Sequence, residues 1–465
     1  MRLVIIAAWF SILTSTAFAD TPGVSDLWAK VKAASLERSP EIRSAEAQAK
    51  QRSAQTYTAF ARWLPRVDAT LSQSRSKDYS FVTSGALGSA GSSFTPTEIG
   101  LNRWQLAASL PLYKRSVHLN ARLALAESEQ ADLSLLQRTS EIDWRLRQLL
   151  CDAMLASYRE SATLANIESA RTTLAEAKVR FELGSRTRVD VLRAESTLLN
   201  LDSKLLTERE RRETAVGELT KYTGAKREEL KAWGLDAFWA LDAEKQREQI
   251  ERFTSVEIIW PSVEPWVGAE EKKVEERIVQ ASAQYRQIQS NTVSAEVAAE
   301  QLLTAEWPEL NVTGSLNEQG QNWSDAFRRD YMSYSVSVAL SVPVFTSGAL
   351  VSASLERARA RESADWKRVA DTAALKNDIE NQQHRIQALR KSLESQRVAY
   401  ARAEELSRLS AESYRLGKAS LLEVQTAQSE YLDARSALVE NEINLSIQMR
   451  KFAWHLGIEL PAQSL

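Results

Sequence analysis

Cysteine is almost missing from this chain. Cys151 is the one thiol in 465 residues, so no internal disulfide can form, and a lone thiol inside a helical pattern reads as a small buried apolar residue. Histidine is nearly as scarce: His118, His384 and His455 are scattered, and no HExxH, CxxC or Gly-x-Ser-x-Gly pattern occurs. That removes the common metal and nucleophile constellations, and neither an enzyme activity nor a cofactor or metal is expected. Charge of one sign is lacking too. The 59 basic and 61 acidic residues leave a net charge of -2, which argues against nucleic acid as a partner and against electrostatic adhesion to anionic lipid. The glycines of "TSGALGSAGSSFTPT" (83–97) precede no Lys-Ser/Thr pair at phosphate-loop spacing, so they read as a polar loop.

Long apolar runs are absent beyond the first residues. Residues 1–19, "MRLVIIAAWFSILTSTAFA", combine Arg2, an apolar stretch from Leu3 to Leu13 and an Ala-Phe-Ala end, the pattern of a cleaved secretory signal. The mature chain is expected to begin near Asp20, with no cysteine there to carry an acyl anchor. No later run of 18 apolar residues exists, so no helix of the mature chain can span a bilayer. A membrane location would require a barrel.

Proline is confined to ten positions, leaving 112–260 and 344–460 free of it. These tracts are rich in Ala, Leu, Glu, Arg, Gln and Ser, which favours long helices. Sliding the chain on itself by 233 residues sets "FELGSRTRVDVLRAESTLLNLDSKLL" over "YRLGKASLLEVQTAQSEYLDARSALV", pairing Gly184 with Gly417, Asp190 with Glu423, Ala194 with Ala427 and Leu205 with Leu438. The same shift places Gly224 on Gly457, and a shift of 232 places "SLPLY" on "SVPVF". The chain is a tandem duplication.

Each half reads in one order: a helix (25–62; 270–306), two strands (66–82 and 99–113; 309–324 and 331–345), an uninterrupted helical run (116–183; 348–416), a Gly, and a return helix (188–222; 421–456). At 1.5 Å per residue the long runs reach ~100 Å, beyond any globular core. Leu164, Ile167, Leu174, Ala177 and Phe181 recur at coiled-coil spacing, as do Val424, Ala427, Tyr431, Ala434 and Leu438. Gly184 and Gly417 end the long helices in the left-handed conformation that Gly adopts without penalty, and the Ser/Thr residues after them cap the return helices. They are hairpin tips. The intervening 225–268 holds Trp233, Phe238, Trp239, Trp260 and Trp266 and reads as a small mixed belt.

The strands alternate. In "YSVSVALSVPV" (334–344), Tyr334, Val336, Val338 and Leu340 oppose Ser335, Ser337, Ala339 and Ser341, and "LNVTGSLN" and "VDATLSQS" do the same. One face could meet lipid and the other water. Trp63, Tyr113, Trp307 and Phe345 flank the strands on the helix side, and Tyr79, Phe81, Trp323 and Tyr331 on the loop side, the placement of interfacial girdles. Four strands cannot close a barrel, and lipid tolerates no open edge, so several chains must share one. Two copies would give eight strands and a filled interior, three would give twelve and a lumen, and strand arithmetic does not choose between three and four copies. A periplasmic coiled-coil scaffold with a soluble β cap is the rival reading.

The duplicated order, the paired Leu-Gly-x-x-(Ser/Thr)-x-x-(Asp/Glu)-Val tips and the paired Ser-x-Pro strand-to-helix junctions resemble the TolC-like outer-membrane factor family over nearly all of the mature chain. The resemblance implies a mainly α fold with a membrane β-barrel: a homotrimer with a twelve-stranded barrel in the outer membrane, continued by a helical barrel across the periplasm. It implies an exit duct for tripartite pumps or type I secretion, with outer-membrane lipid around the strands. Its tips (Leu183, Gly184, Ser185; Leu416, Gly417, Lys418) would dock on a periplasmic adaptor, which links them to an inner-membrane transporter. The family's acidic constriction maps onto Glu423, with Asp190 as its counterpart in the first repeat. One turn later this chain has Thr426 where some members are acidic, and Tyr414 matches a tip aromatic that holds the closed state. Domain boundaries follow as 1–19, 20–224, 225–268 and 269–465. The cargo is not legible.

Overall fold

The computed structural model describes residues 24–82, 93–184, 187–320, 322–323, 332–416 and 418–458. The expected signal at 1–19, Ser185, Tyr331, Gly417 and loop residues 83–92 lie outside them. The chain divides into two compact units, one of residues 1–43, 139–277 and 379–465, the other of 44–138 and 278–378.

The second unit holds an antiparallel sheet in the order β1 (Arg66–Val82), β2 (Ser93–Tyr113), β3 (Glu309–Gly320) and β4 (Ser333–Ser341). The two halves of the chain meet where β2 pairs with β3, from Asn102↔Gly320 to Tyr113↔Leu310. Three strand boundaries differ from the sequence reading. β2 opens at Ser93 instead of 99, because 93–98 pair with 77–82 of β1. Pro96 is tolerated there because beyond Asn102 the far side of β2 has no partner strand among the described residues. The described part of β3 closes at Gly320, and 324 lies outside the described residues. β4 runs from Ser333 to Ser341 instead of 331–345, since its partner begins at Glu309 and Pro343 has no N–H to extend the ladder.

The long helices are continuous. In the first repeat α1 (Val24–Arg38) and α2 (Pro40–Ala61) precede the strands, followed by α3 (Arg115–Glu182) and α4 (Arg188–Thr223). One helix over 25–62 was expected; Ser39 and Pro40 break it, because proline at the first helical position fixes φ but cannot donate to the turn before. After the belt come α9 (Glu271–Ala281) and α10 (Ala283–Gln301), then α11 (Ala349–Arg415) and α12 (Leu421–His455). The single helix expected over 270–306 is divided at Ser282, whose Oγ accepts the Tyr285 N–H at 3.4 Å and starts α10.

The belt, expected to be mixed, is helical among the described residues: α5 (Arg227–Leu230), α6 (Asp236–Trp239), α7 (Ala243–Thr254) and α8 (Val256–Val267). Pro261 and Pro265 sit inside α8. Their spacing of four puts both rings on one exposed side, while Ile259, Val263 and Val267 are buried on the other. The belt encloses the main core of the first unit, where Leu146, Leu150 and Met154 of α3 meet Val216 and Leu219 of α4 and Ile250 of α7. Cys151 lies in that core, and burial, reinforced by the Asp152 charge, pushes its thiol up to about 12. Gly224 ends α4 at φ 66°, and a Cβ there would stand 2.9 Å from the carbonyl oxygen of Arg38.

Candidate functional site

The sheet has two chemically different faces. On one, Val67 and Leu71 of β1, Leu106 of β2, Leu316 of β3 and Tyr334, Val336, Val338 and Leu340 of β4 are all exposed, Tyr334 by 79%. On the other, hydroxyls bridge β3 and β4: Thr313 Oγ1 lies 2.7 Å from Ser337 Oγ, Ser315 Oγ lies 2.9 Å from Ser335 Oγ, and Ser333 Oγ donates to Asn317 Oδ1 at 2.7 Å. An apolar surface of this extent, opposite a hydrogen-bonded polar one, suits a sheet with lipid on one side and water on the other. Trp63, Tyr113, Trp307 and Phe345 are exposed at the helix-side ends of the strands, and the Arg115 guanidinium lies 4.2 Å over the Trp307 ring. No described helix is long and apolar enough to cross a membrane.

At the first tip α3 closes with the Gly184 N–H donating to the Phe181 carbonyl at 2.9 Å, and Gly184 takes φ 72°. No other group lies within 4 Å of where its Cβ would be. Its positive φ, not space, is what calls for glycine. The turn re-enters α4 at Thr187. Asp190, half-buried, accepts the Thr187 N–H at 3.2 Å and the Thr187 hydroxyl at 3.1 Å through Oδ2. The second tip repeats this at Ser420, whose N–H donates to Glu423 Oε2 at 3.2 Å while the Glu423 N–H donates to Ser420 Oγ at 3.3 Å. Both acids proposed for the lumen therefore also close capping boxes, a signature legible in Thr-x-x-Asp and Ser-x-x-Glu that the constriction reading passed over. Thr426, one turn on, donates its hydroxyl to the Leu422 carbonyl at 2.9 Å.

Tyr414 is buried where the two hairpins meet. It packs with Ala194 of α4 and Val424 of α12, and Arg180 of α3 lies 5.6 Å from its ring. Sequence reasoning missed Arg180, a cation on the ring face, and Lys178, which pairs with Glu195 at 3.2 Å within the first hairpin. At the tips themselves Leu183 and Leu416 are 77% and 65% exposed, and Lys418, also exposed, is held by its N–H to the Ser413 carbonyl at 2.8 Å. The structure thus brings Tyr414 together with the neighbouring hairpin and leaves the tip leucines uncovered.

The outer membrane efflux protein family matches residues 33–225 and 276–452, one stretch for each repeat and well over half of the chain. The chain belongs to that family. Solved outer-membrane channels share its fold. CmeC of Campylobacter jejuni is 14% identical, with 100% of this chain and 96% of that chain covered and a TM-score of 0.74. VceC of Vibrio cholerae is 15% identical over 93% and 97%, with a TM-score of 0.68. The open state of MtrE of Neisseria gonorrhoeae is 16% identical over 97% and 94%, with a TM-score of 0.63. No curated protein matches the chain. This outer membrane efflux protein is an outer-membrane exit duct that extends into the periplasm, and neither its family nor its exposed sheet face favours a soluble scaffold.

Proposed function

We propose that three copies of this chain pool their strands into one twelve-stranded barrel and their helices into one tunnel, opened when a periplasmic adaptor engages the hairpin tips. The observation that carries this reading is the four-stranded sheet, apolar on one face, hydroxylated on the other and, among the described residues, unpaired at β1 and β4. Hydrocarbon cannot solvate open edges, and twelve strands leave a lumen where eight do not. Residues 20–224 and 269–465 act as the two repeats and 225–268 as the belt. An inner-membrane transporter of a tripartite pump or a type I secretion system loads the duct through the adaptor, for which Leu183, Gly184, Ser185, Leu416, Gly417 and Lys418 form the docking surface.

Glu423 supplies one carboxylate per copy to a ring inside the tips, with Asp190 and Thr426 nearby, and Tyr414 holds the closed packing. Three converging carboxylates draw cations. The test is conductance of the purified protein in a planar bilayer. Small cation-selective steps that grow when Asp190, Tyr414 and Glu423 are replaced together are expected, and Glu423→Ala alone should move the reversal potential in a salt gradient toward zero. An unchanged reversal potential removes Glu423 from the constriction. No steps from either protein, despite a confirmed oligomer, would overturn the duct geometry.

A further inference from the structure

Where α7 turns into α8 the chain uses a single residue, Ser255, at φ 50°. The corner packs against α11 and α12 around a cavity of ≈ 520 Å³, within the roughly 300–1,000 Å³ ordinary for a ligand site. Its walls include Val256, Ile258, Leu438 and the Tyr400 ring, and Glu442 of α12 opens onto it.

Pairing within this cavity leaves one carboxylate over. On α7, Arg252 pairs with Glu248 at 2.6 Å and Arg247 with Glu251 at 2.8 Å. Arg397 of α11 pairs with Glu257 of α8 at 3.3 Å, and Arg390 stands 3.8 Å from the same carboxylate. Glu442 has only a longer contact, 3.6 Å from its Oε1 to the already engaged Arg397. Its side chain is 8% exposed, and its buried Oε2 has no hydrogen-bond partner. A buried carboxylate oxygen without a donor is costly, so it should either take a proton or acquire a cation. Burial, with the Glu251 charge, pushes the Glu442 carboxyl up to about 7 against the pull of Arg397 and Arg247.

We infer that this pocket binds a primary alkylammonium ion, its charged head against the Glu442 carboxylate and its alkyl stem along Val256, Ile258 and Leu438. An anion is the weaker fit, because each guanidinium in the cavity already holds a carboxylate, whereas Glu442 has only the 3.6 Å contact to Arg397. The site shares no residue with the tips or the sheet.

The test is calorimetric titration of the full-length oligomer in detergent with hexylammonium, and with hexanoate as the opposite charge. Saturable binding of hexylammonium at pH 8 is expected, weakening about tenfold per pH unit once the carboxyl is mostly protonated below pH 7. Glu442→Gln should lose at least tenfold in affinity. Arg397→Gln should gain affinity, because it removes the guanidinium that pairs with Glu442, and a merely structural contribution from this corner would not give the two variants opposite signs. Equal binding by Glu442→Gln, binding independent of pH, or a preference for hexanoate would overturn the inference. The pH series uses the native protein and so decides the matter even if a variant fails to assemble.

Discussion

Two glycines at helix ends differ in what they resist. Gly184 needs only its left-handed φ, so Gly184→Ala should cost about 1–2 kcal/mol. Gly224 combines φ 66° with backbone 2.9 Å from the Cβ position, so Gly224→Ala should cost more than that as Arg38 is pushed away. Denaturant midpoints of the two variants check this, and the prediction fails if Gly184→Ala is the less stable. The same residues show what a sequence carries. Gly224 and Gly457, paired by the repeat, both take positive φ, at 66° and 59°. Ala194 and Ala427 are both 2% exposed. Matching helical periods in two copies made these positions legible, because equivalent packing demands equivalent residue sizes. Asp190 and Glu423 were legible as a pair but not in full, since an acid three residues into a helix satisfies a capping box and a lumen ring with the same letters. Glu423→Ala should therefore also cost about 1 kcal/mol in helix stability, and Glu423→Gln, which keeps an acceptor, less.

Between elements, two carboxylates respond to pH in opposite directions. Glu300 of α10 accepts from Arg115 of α3 at 2.9 Å, and from Arg357 and Arg361 of α11. Burial raises its pKa, but the hydrogen bonds of Arg357 and Arg115 and the charges of Arg357 and Arg361 outweigh this and hold it below the usual range. A lowered carboxyl contributes stability that is present above its unfolded pKa and lost as pH falls through the folded one. Glu300→Gln should therefore lose about 2 kcal/mol at neutral pH and little in acid. Glu442 is the reverse. Burial pushes its carboxyl up to about 7, above the ordinary glutamate range, so the native state holds the extra proton and stability falls as pH rises between the two, by up to about 3 kcal/mol. Glu442→Gln should gain on the native protein from pH 5 to pH 8, as thermal midpoints across that range would register. Neither residue announces this in sequence, where both look like charges on a solvated helix. Glu442 is buried by α7 and α8, which fold back over α12 from about 190 positions earlier in the chain. The helix break at Ser282 was hidden for a related reason: it is one Ser in a strongly helical composition, and only its cap on the Tyr285 N–H gives it away, whereas the break after Ser39 was legible in Pro40, which opens α2.

At the scale of the whole molecule, the sheet implies partners. Its β1 and β4 edges are unpaired among the described residues of one chain, so the purified protein should run as a heat-modifiable oligomer and resist carbonate extraction. A monomer that extracts with carbonate would contradict the shared barrel. Disulfides engineered between neighbouring tips should stop transport if the tips move apart on opening, and retained transport with complete cross-linking would refute that motion. Cys151 bears on how cleanly such experiments can be done. Its thiol is enclosed in the core and held almost wholly un-ionised at neutral pH, so the native chain already behaves as a silent background for thiol chemistry. A maleimide dye or spin label placed at a tip would report from that tip alone, and opening could be followed as a distance in real time without first removing a single native residue.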